Sequence, residues 1–434
     1  MKMEDMVLVS VDDHVVEPPD MFERALPLQY KARAPKAIKN KKGDDVWTWE
    51  GRVLPNIGLN AVAGRVPEEY GMEPTSYGQM RKGCYDVHAR IDDMNVNGQL
   101  GSMCFSSFPG LCGKLWCAVD DKDLSRVVCQ AYNDWHVDEW CGAYPGRFIP
   151  LGMVPMWDPK ASAEEVRRLA RKGCHAISLS ENPTSVALPS YHNDEFWGPI
   201  WQACVDEGTA VCIHIGTGKG IPSPSMDTPI DAAILATPLA IANCAADILF
   251  SQALRRWPAL TFVLSEGGIG WIPYFLDRAD YVYERHHAWT QQDFGTHKPS
   301  DVFKRQIVSC FFEDPVGIRL RHEIGIDMIT WECDYPHSDS TWPDAPERLW
   351  RVLEGLPDAD VDKLTHRNAM RIFQYDPFAT IPRARCSVGA LRAQAKHVDL
   401  TPIRGVGGKP PGLGPGQVVR MAQVAQQLAG AMDG

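Results

Sequence analysis

Short apolar runs rich in β-branched residues recur along this chain, each followed by a longer stretch of helical character. Met6–Val11 is the first run. Gly101–Ser106, Phe148–Pro155, His175–Ser180, Ala210–Ile215, Thr261–Ser265, Ile307–Phe312 and Asp327–Trp331 complete a set of eight. Such runs read as strands buried on both faces, as a parallel sheet requires. Between them, Ser162–Lys172 carries charged and apolar residues at helical spacing behind an Asp158-Pro159 start, and Asp194–Glu207 and Asp231–Trp257 read the same way. Eight strands alternating with helices predict a closed (β/α)8 barrel more than an open doubly wound sheet. The dinucleotide-binding form of the open sheet is weakened further, because no Gly-x-Gly-x-x-Gly follows the first strand.

Two regions exceed the bare barrel, so the expected fold is a distorted TIM barrel over residues 1–380 with an insertion and a C-terminal extension. Residues 31–82 lie between the first strand and its helix and hold a hairpin pattern around Val46–Val53. A long insertion after a barrel strand roofs the active site. Residues 381–434 form the extension: Gly405–Gly416 is a flexible linker by composition and Gln417–Met432 reads as one helix. That helix is either a surface strap or an arm that docks on a partner subunit of a homo- or hetero-oligomer.

Composition narrows the function classes. The chain has 434 residues, 44% hydrophobic and 23% charged, enough to bury a large core. A net charge of −11 argues against nucleic acid or an anionic membrane surface as partner. The acidic start Met1–Asp5 and the short apolar stretch after it do not make a signal peptide, and no run reaches the length of a membrane span. The 13 cysteines form no Cys-x-x-Cys pair, so the expectation is free thiols in the cytoplasm rather than a thiolate zinc site.

Candidate chemistry gathers at strand ends. Strand one leads into Asp12-Asp13-His14-Val-Val-Glu17. Residues two apart on a strand share a face, so Asp12 and His14 project together, with Glu17 just beyond. Strand five ends at His214 before Gly216 and Gly218. A histidine in an apolar run must be bonded, either as a satisfied core residue or as a ligand. Strand six ends in Glu266-Gly-Gly-Ile-Gly-Trp271, where the carboxylate is a candidate ligand or base, or a helix N-terminal charge. Strand eight gives Asp334-Tyr-Pro-His337, a ligand-and-base cluster or an ordinary turn. Histidines and carboxylates on a barrel rim suit Zn2+, Mn2+ or Fe2+. Arg65, Arg81 and Arg90 are candidates for a substrate carboxylate, Arg90 being more readily structural, and Trp271 is a candidate substrate contact.

As a set, Val-Asp12-Asp-His14-Val-Val-Glu17-Pro, Tyr85-Asp86 with Arg90 and Asp93-Met94, His214-Ile-Gly216, Glu266-Gly-Gly-Ile-Gly-Trp271 and Asp334-Tyr-Pro-His337 resemble the amidohydrolase-related (family 2) proteins, akin to the aminocarboxymuconate-semialdehyde decarboxylases. The resemblance runs from Met6 to Phe378. It implies a barrel with a divalent metal held by Asp12, His14, His214 and Asp334, with Asp334 also able to accept a proton. Many relatives have two histidines on strand one, where Asp12 stands first here, and decarboxylating relatives have a histidine at the place of Glu266. Adding Glu17, Glu266 and His337 gives donors enough for two ions.

Three functions follow as expectations. The first is a mononuclear hydrolase or decarboxylase acting on a small carboxylate-bearing substrate, with Asp334, Glu266 and His337 as its catalytic residues. The second is a dinuclear iron or manganese monooxygenase. The third is a supporting metal-binding subunit of such an assembly.

Overall fold

The structure, a computed structural model, describes residues 1–54, 57–58, 60–71, 76–218, 222–406, 414 and 416–432. Its strands are β1 (Leu8–Val15), the antiparallel trio β2 (Lys36–Lys39), β3 (Asp45–Trp49) and β4 (Arg52–Leu54), then β5 (Gln99–Ser106), β6 (Phe148–Ile149), β7 (Gly152–Met153), β8 (Ala176–Ser180), β9 (Ala210–His214), β10 (Phe262–Ser265), β11 (Ile307–Phe311) and β12 (Ile329–Trp331). Parallel pairing gives the orders β1-β5-β6 and β7-β8-β9-β10-β11-β12. The third predicted strand is split at Pro150, which has no N–H to donate, and its halves pair with different neighbours. The seam between β12 and β1 is bridged by backbone bonds: Asp334 N–H donates to Asp12 O and His14 N–H to Tyr335 O, both at 2.7 Å. Eight parallel strands therefore run round a ring. Val9, Val11, Met103, Ile149, Cys212 and Val263 belong to one buried cluster at its centre.

Three sequence expectations need correction. The first strand runs to Val15 rather than stopping at Val11, because His14 and Val15 still pair with Phe105 and Ser106 of β5 after a register shift. The predicted helix Asp231–Trp257 is three helices, Ile230–Ala236, Leu239–Phe250 and Ala253–Arg256, since Pro238 cannot donate within a helix. The terminal helix begins at Met421 rather than Gln417. The stretch Ile230–Phe250, with a mean hydropathy of 1.8, is apolar enough by length and composition for a membrane span. In the fold it buries Ile241, Cys244, Ala245, Ile248 and Leu249 while Leu235 stays 78% exposed.

The insertion packs on the C-terminal end of the barrel, and the extension touches both ends, Val388 N–H donating to Met6 O at 2.9 Å just before β1. Glu50 and Gly51, both at positive φ, make the two-residue turn between β3 and β4. The N–H groups of Val62 and Ala63 donate to Pro336 O, which ties the insertion to the loop after β12. Ile403 N–H donates to Gly64 O at 2.7 Å, and Met421 N–H to Thr228 O at 3.0 Å, so the extension returns onto its own chain.

Candidate metal centre

β1 alternates its side chains about the ring, and that alternation splits Asp12, Asp13 and His14. Asp13 turns outward. Its carboxylate accepts from Gln99 Nε2 at 2.7 Å, from Tyr335 N–H at 3.0 Å, and from Ser102 Oγ. Asp12 and His14 turn inward and are fully buried. His14 Nε2 lies 3.5 Å from Asp12 Oδ1 and 2.9 Å from Asp334 Oδ1. His214, the last residue of β9, places Nε2 at 3.4 Å from Asp12 Oδ2 and 3.3 Å from Glu266 Oε2. Its Nδ1–H donates to Ile215 O at 2.6 Å, and that bond leaves the Nε2 lone pair facing the cluster. His337 Nδ1 is 2.8 Å from Asp334 Oδ1, and the His337 ring stacks on His14 at 3.7 Å between centroids.

Glu266 and Asp334 both sit at left-handed backbone, φ 60° and 59°. Left-handed non-glycine residues need surrounding structure to hold them. After Glu266 the Gly-rich turn supplies that support. A side chain at Gly267 would meet Ile241 Cγ2 at 2.3 Å, and Gly268 has φ 63°. Asp314 accepts from Ile269 N–H and Gly270 N–H at 2.6 and 2.7 Å. Glu332 Oε2 accepts the N–H of Glu266 itself at 3.0 Å.

The electrostatics call for a cation. Burial, then the neighbouring carboxylates Asp334 and Asp13, push the Asp12 carboxyl well up. Burial and the Asp334 charge do the same to Glu266, and burial and Asp12 to Glu332. Burial disfavours the Asp334 carboxylate, but His337 and His14 outweigh it and hold that group below the usual range. Both oxygens of Asp12, both of Asp334, both ring nitrogens of His14, and Nε2 of His214 and His337 are buried without a hydrogen-bond partner. Orphaned donors of this kind, with excess buried negative charge, fit a divalent ion. Two groups of converging ligand atoms stand out among the described residues: Asp12, His14 and His214, and His14, Asp334 and His337.

Other sequence candidates are engaged elsewhere. Glu17 is outside both ligand groups: its Oε1 accepts from Ser107 N–H at 3.1 Å and its Oε2 from Phe108 N–H at 2.8 Å. Trp271 Nε1 donates to Gly267 O and Gly268 O, closing its own turn. Arg65 Nη2 donates to Gln79 O, Arg81 pairs with Asp93 at 2.6 Å, and Arg90 donates through Nε to Gly83 O and through Nη2 to His14 O. Glu332 was not singled out from the sequence. No spacing marks it: it directly follows β12, and the left-handed backbone at Asp334 takes the two carboxylates out of any strand period.

The family model for amidohydrolases matches residues 118–374. The chain belongs to the amidohydrolase family. This amidohydrolase is 25% identical over 300 residues to 2-amino-3-carboxymuconate-6-semialdehyde decarboxylase of Dictyostelium discoideum, covering 68% of this chain and 78% of that one. It is 24% identical over 283 residues to gamma-resorcylate decarboxylase of Rhizobium sp. (strain MTP-10005), covering 60% and 80%. Among solved structures, 5-carboxyvanillate decarboxylase of Novosphingobium aromaticivorans, complexed with manganese and 4-hydroxy-3-methoxy-5-nitrobenzoic acid, superposes with a TM-score of 0.59 at 20% identity over 86% of this chain and 99% of that one. The amidohydrolase barrel fold is thereby shown.

Proposed function

We propose that this amidohydrolase is a divalent-metal-dependent carboxy-lyase acting on a small carboxylated aromatic substrate. The observation that carries the reading is the convergence of Asp12, His14, His214 and Asp334, buried and with unpartnered donor atoms, at the C-terminal ends of three barrel strands. The named relatives, all decarboxylases, support bond cleavage over the oxygenase alternative, and the manganese in the solved structure supports Mn2+. One ion fits the geometry better than two. His14 Nε2 faces Asp12 and Asp334 alike, and one lone pair serves one ion.

Bound there, the ion would supply Lewis-acid polarisation of a substrate oxygen. The chain's own residues supply the rest. Phe105, with its ring 4.8 Å from that of His214, offers an apolar wall for an aromatic ring. Loss of CO2 leaves the bonding electron pair on a ring carbon, which must take a proton. Glu266 is placed to deliver it from Oε2, being 16% exposed at the rim while Asp12 and Asp334 are fully enclosed. Asp334 is held ionised by the nearby His337 and His14, with His337 Nδ1 at 2.8 Å from its Oδ1.

The test is CO2 release from a panel of hydroxylated benzoic acids by protein loaded with Mn2+, in anaerobic buffer. Turnover is expected without oxygen and lost on chelation. A strict requirement for O2 and a reductant, or full activity in metal-free protein, would overturn the reading.

A further inference from the structure

At the opposite end of the barrel, two guanidinium groups line one cavity that no carboxylate of the described residues enters. Leu100 is the second residue of β5 and Arg147 directly precedes β6, so the cavity opens at the N-terminal ends of the strands, away from His214 and Asp334. Its volume is about 380 Å³, and among the described residues neither Asp nor Glu lines it. Arg147 is only 7% exposed. Its Nε donates to Leu100 O at 2.7 Å, and its Nη2 to Asn95 Oδ1 at 2.9 Å and Gln99 O at 3.1 Å. Those three bonds tie the strand ends together, which is the purely structural use of the residue.

They leave Nη1 without a protein partner among the described residues, yet it is not sealed in. The titratable groups nearest in effect to Arg147 are Tyr375, Cys386 and Tyr144, none of them a carboxylate, and burial pushes its guanidinium down to about 10. Arg385, exposed on the facing extension, brings a second guanidinium with no ion pair among the described residues. A buried cation without a counter-charge is costly, and an anion in the cavity would offset that cost.

We propose that this cavity binds a small organic carboxylate. The planar fork of arginine matches a carboxylate, and Asn95 and Gln394 add amide groups to the wall. Ile91, Leu100, Ile381 and Leu391 form an apolar lining that suits a hydrocarbon body better than the water shell of inorganic phosphate.

The experiment is titration calorimetry on the full chain with benzoate, benzyl alcohol and inorganic phosphate, run on metal-stripped and on Mn2+-loaded protein. Benzoate is expected to bind near one per chain in the metal-stripped protein, a second molecule in the Mn2+-loaded protein belonging to the metal centre, and benzyl alcohol not at all. Arg385→Ala, an exposed change, and Arg147→Lys are each expected to weaken benzoate by about tenfold or more, the scale of one charged hydrogen bond. Benzoate binding that requires Mn2+ places the acid at the metal centre and overturns the proposal. So does unchanged affinity in Arg385→Ala, or binding of phosphate in place of benzoate.

Discussion

The carboxylate of Glu332 accepts the backbone N–H of Glu266 at 3.0 Å, so the residue directly after β12 fixes the left-handed turn that follows β10. Glu332 is fully buried, and its second oxygen has no partner. Glu332→Leu removes the acceptor and frees the Glu266 turn. We expect kcat to fall by about 10–100-fold with the metal content nearly intact. Glu332→Gln keeps an oxygen at that place and should recover most of the rate. Equal losses in the two variants would show that the bond to Glu266 is not what matters.

Metal binding should stabilise the fold by mass action, by about 2.7 kcal/mol when the free ion is a hundredfold above its Kd. Chelation is therefore expected to lower Tm, and added Mn2+ to restore it. His214→Ala should hold less than half of the wild-type metal by elemental analysis. Asp334→Asn should lower kcat by about 10²–10⁴-fold. Wild-type metal content in His214→Ala would remove that residue from the ligand set.

Glu17 separates a ligand from an anchor. Both of its oxygens are spent on the amides of Ser107 and Phe108. Glu17→Leu orphans these two donors and should destabilise the chain by about 1–3 kcal/mol for each. The metal content should stay at the wild-type level. A drop in metal with unchanged stability would reverse the assignment.

His136 gives acid sensitivity to a part of the fold away from the metal centre. It is fully buried, its ring nitrogens have no hydrogen-bond partner, and burial pushes it from its ordinary 6.5 down to about 3. The folded chain keeps it neutral while the unfolded chain protonates it below 6.5. Its contribution is whole above that pH and is lost as pH falls toward 3, at up to about 1.4 kcal/mol per pH unit. Urea midpoints measured from pH 7 to pH 4 should fall less steeply in His136→Leu than in the wild type. Parallel slopes would show that His136 does not titrate with unfolding.

The sequence by itself determined the alternation of eight strands with helices. Apolar β-branched runs, helix caps and prolines act locally, and Asp158 caps its helix through the N–H groups of Lys160 and Ala161 as the motif requires. It also put Asp12, His14, His214, Glu266 and Asp334 at strand ends, because the strand period and Gly-rich turns are visible in one dimension. Only the tertiary structure decided which of these meet. Asp12 and Asp334 are 322 positions apart and are joined by the backbone bond at the barrel seam. Glu17, next in line after His14, is drawn away by the amides of another loop. Glu332 and the cavity at Arg147 became visible only in the fold, because an unpaired buried polar group is defined by what surrounds it in space. No spacing along the chain records that surrounding.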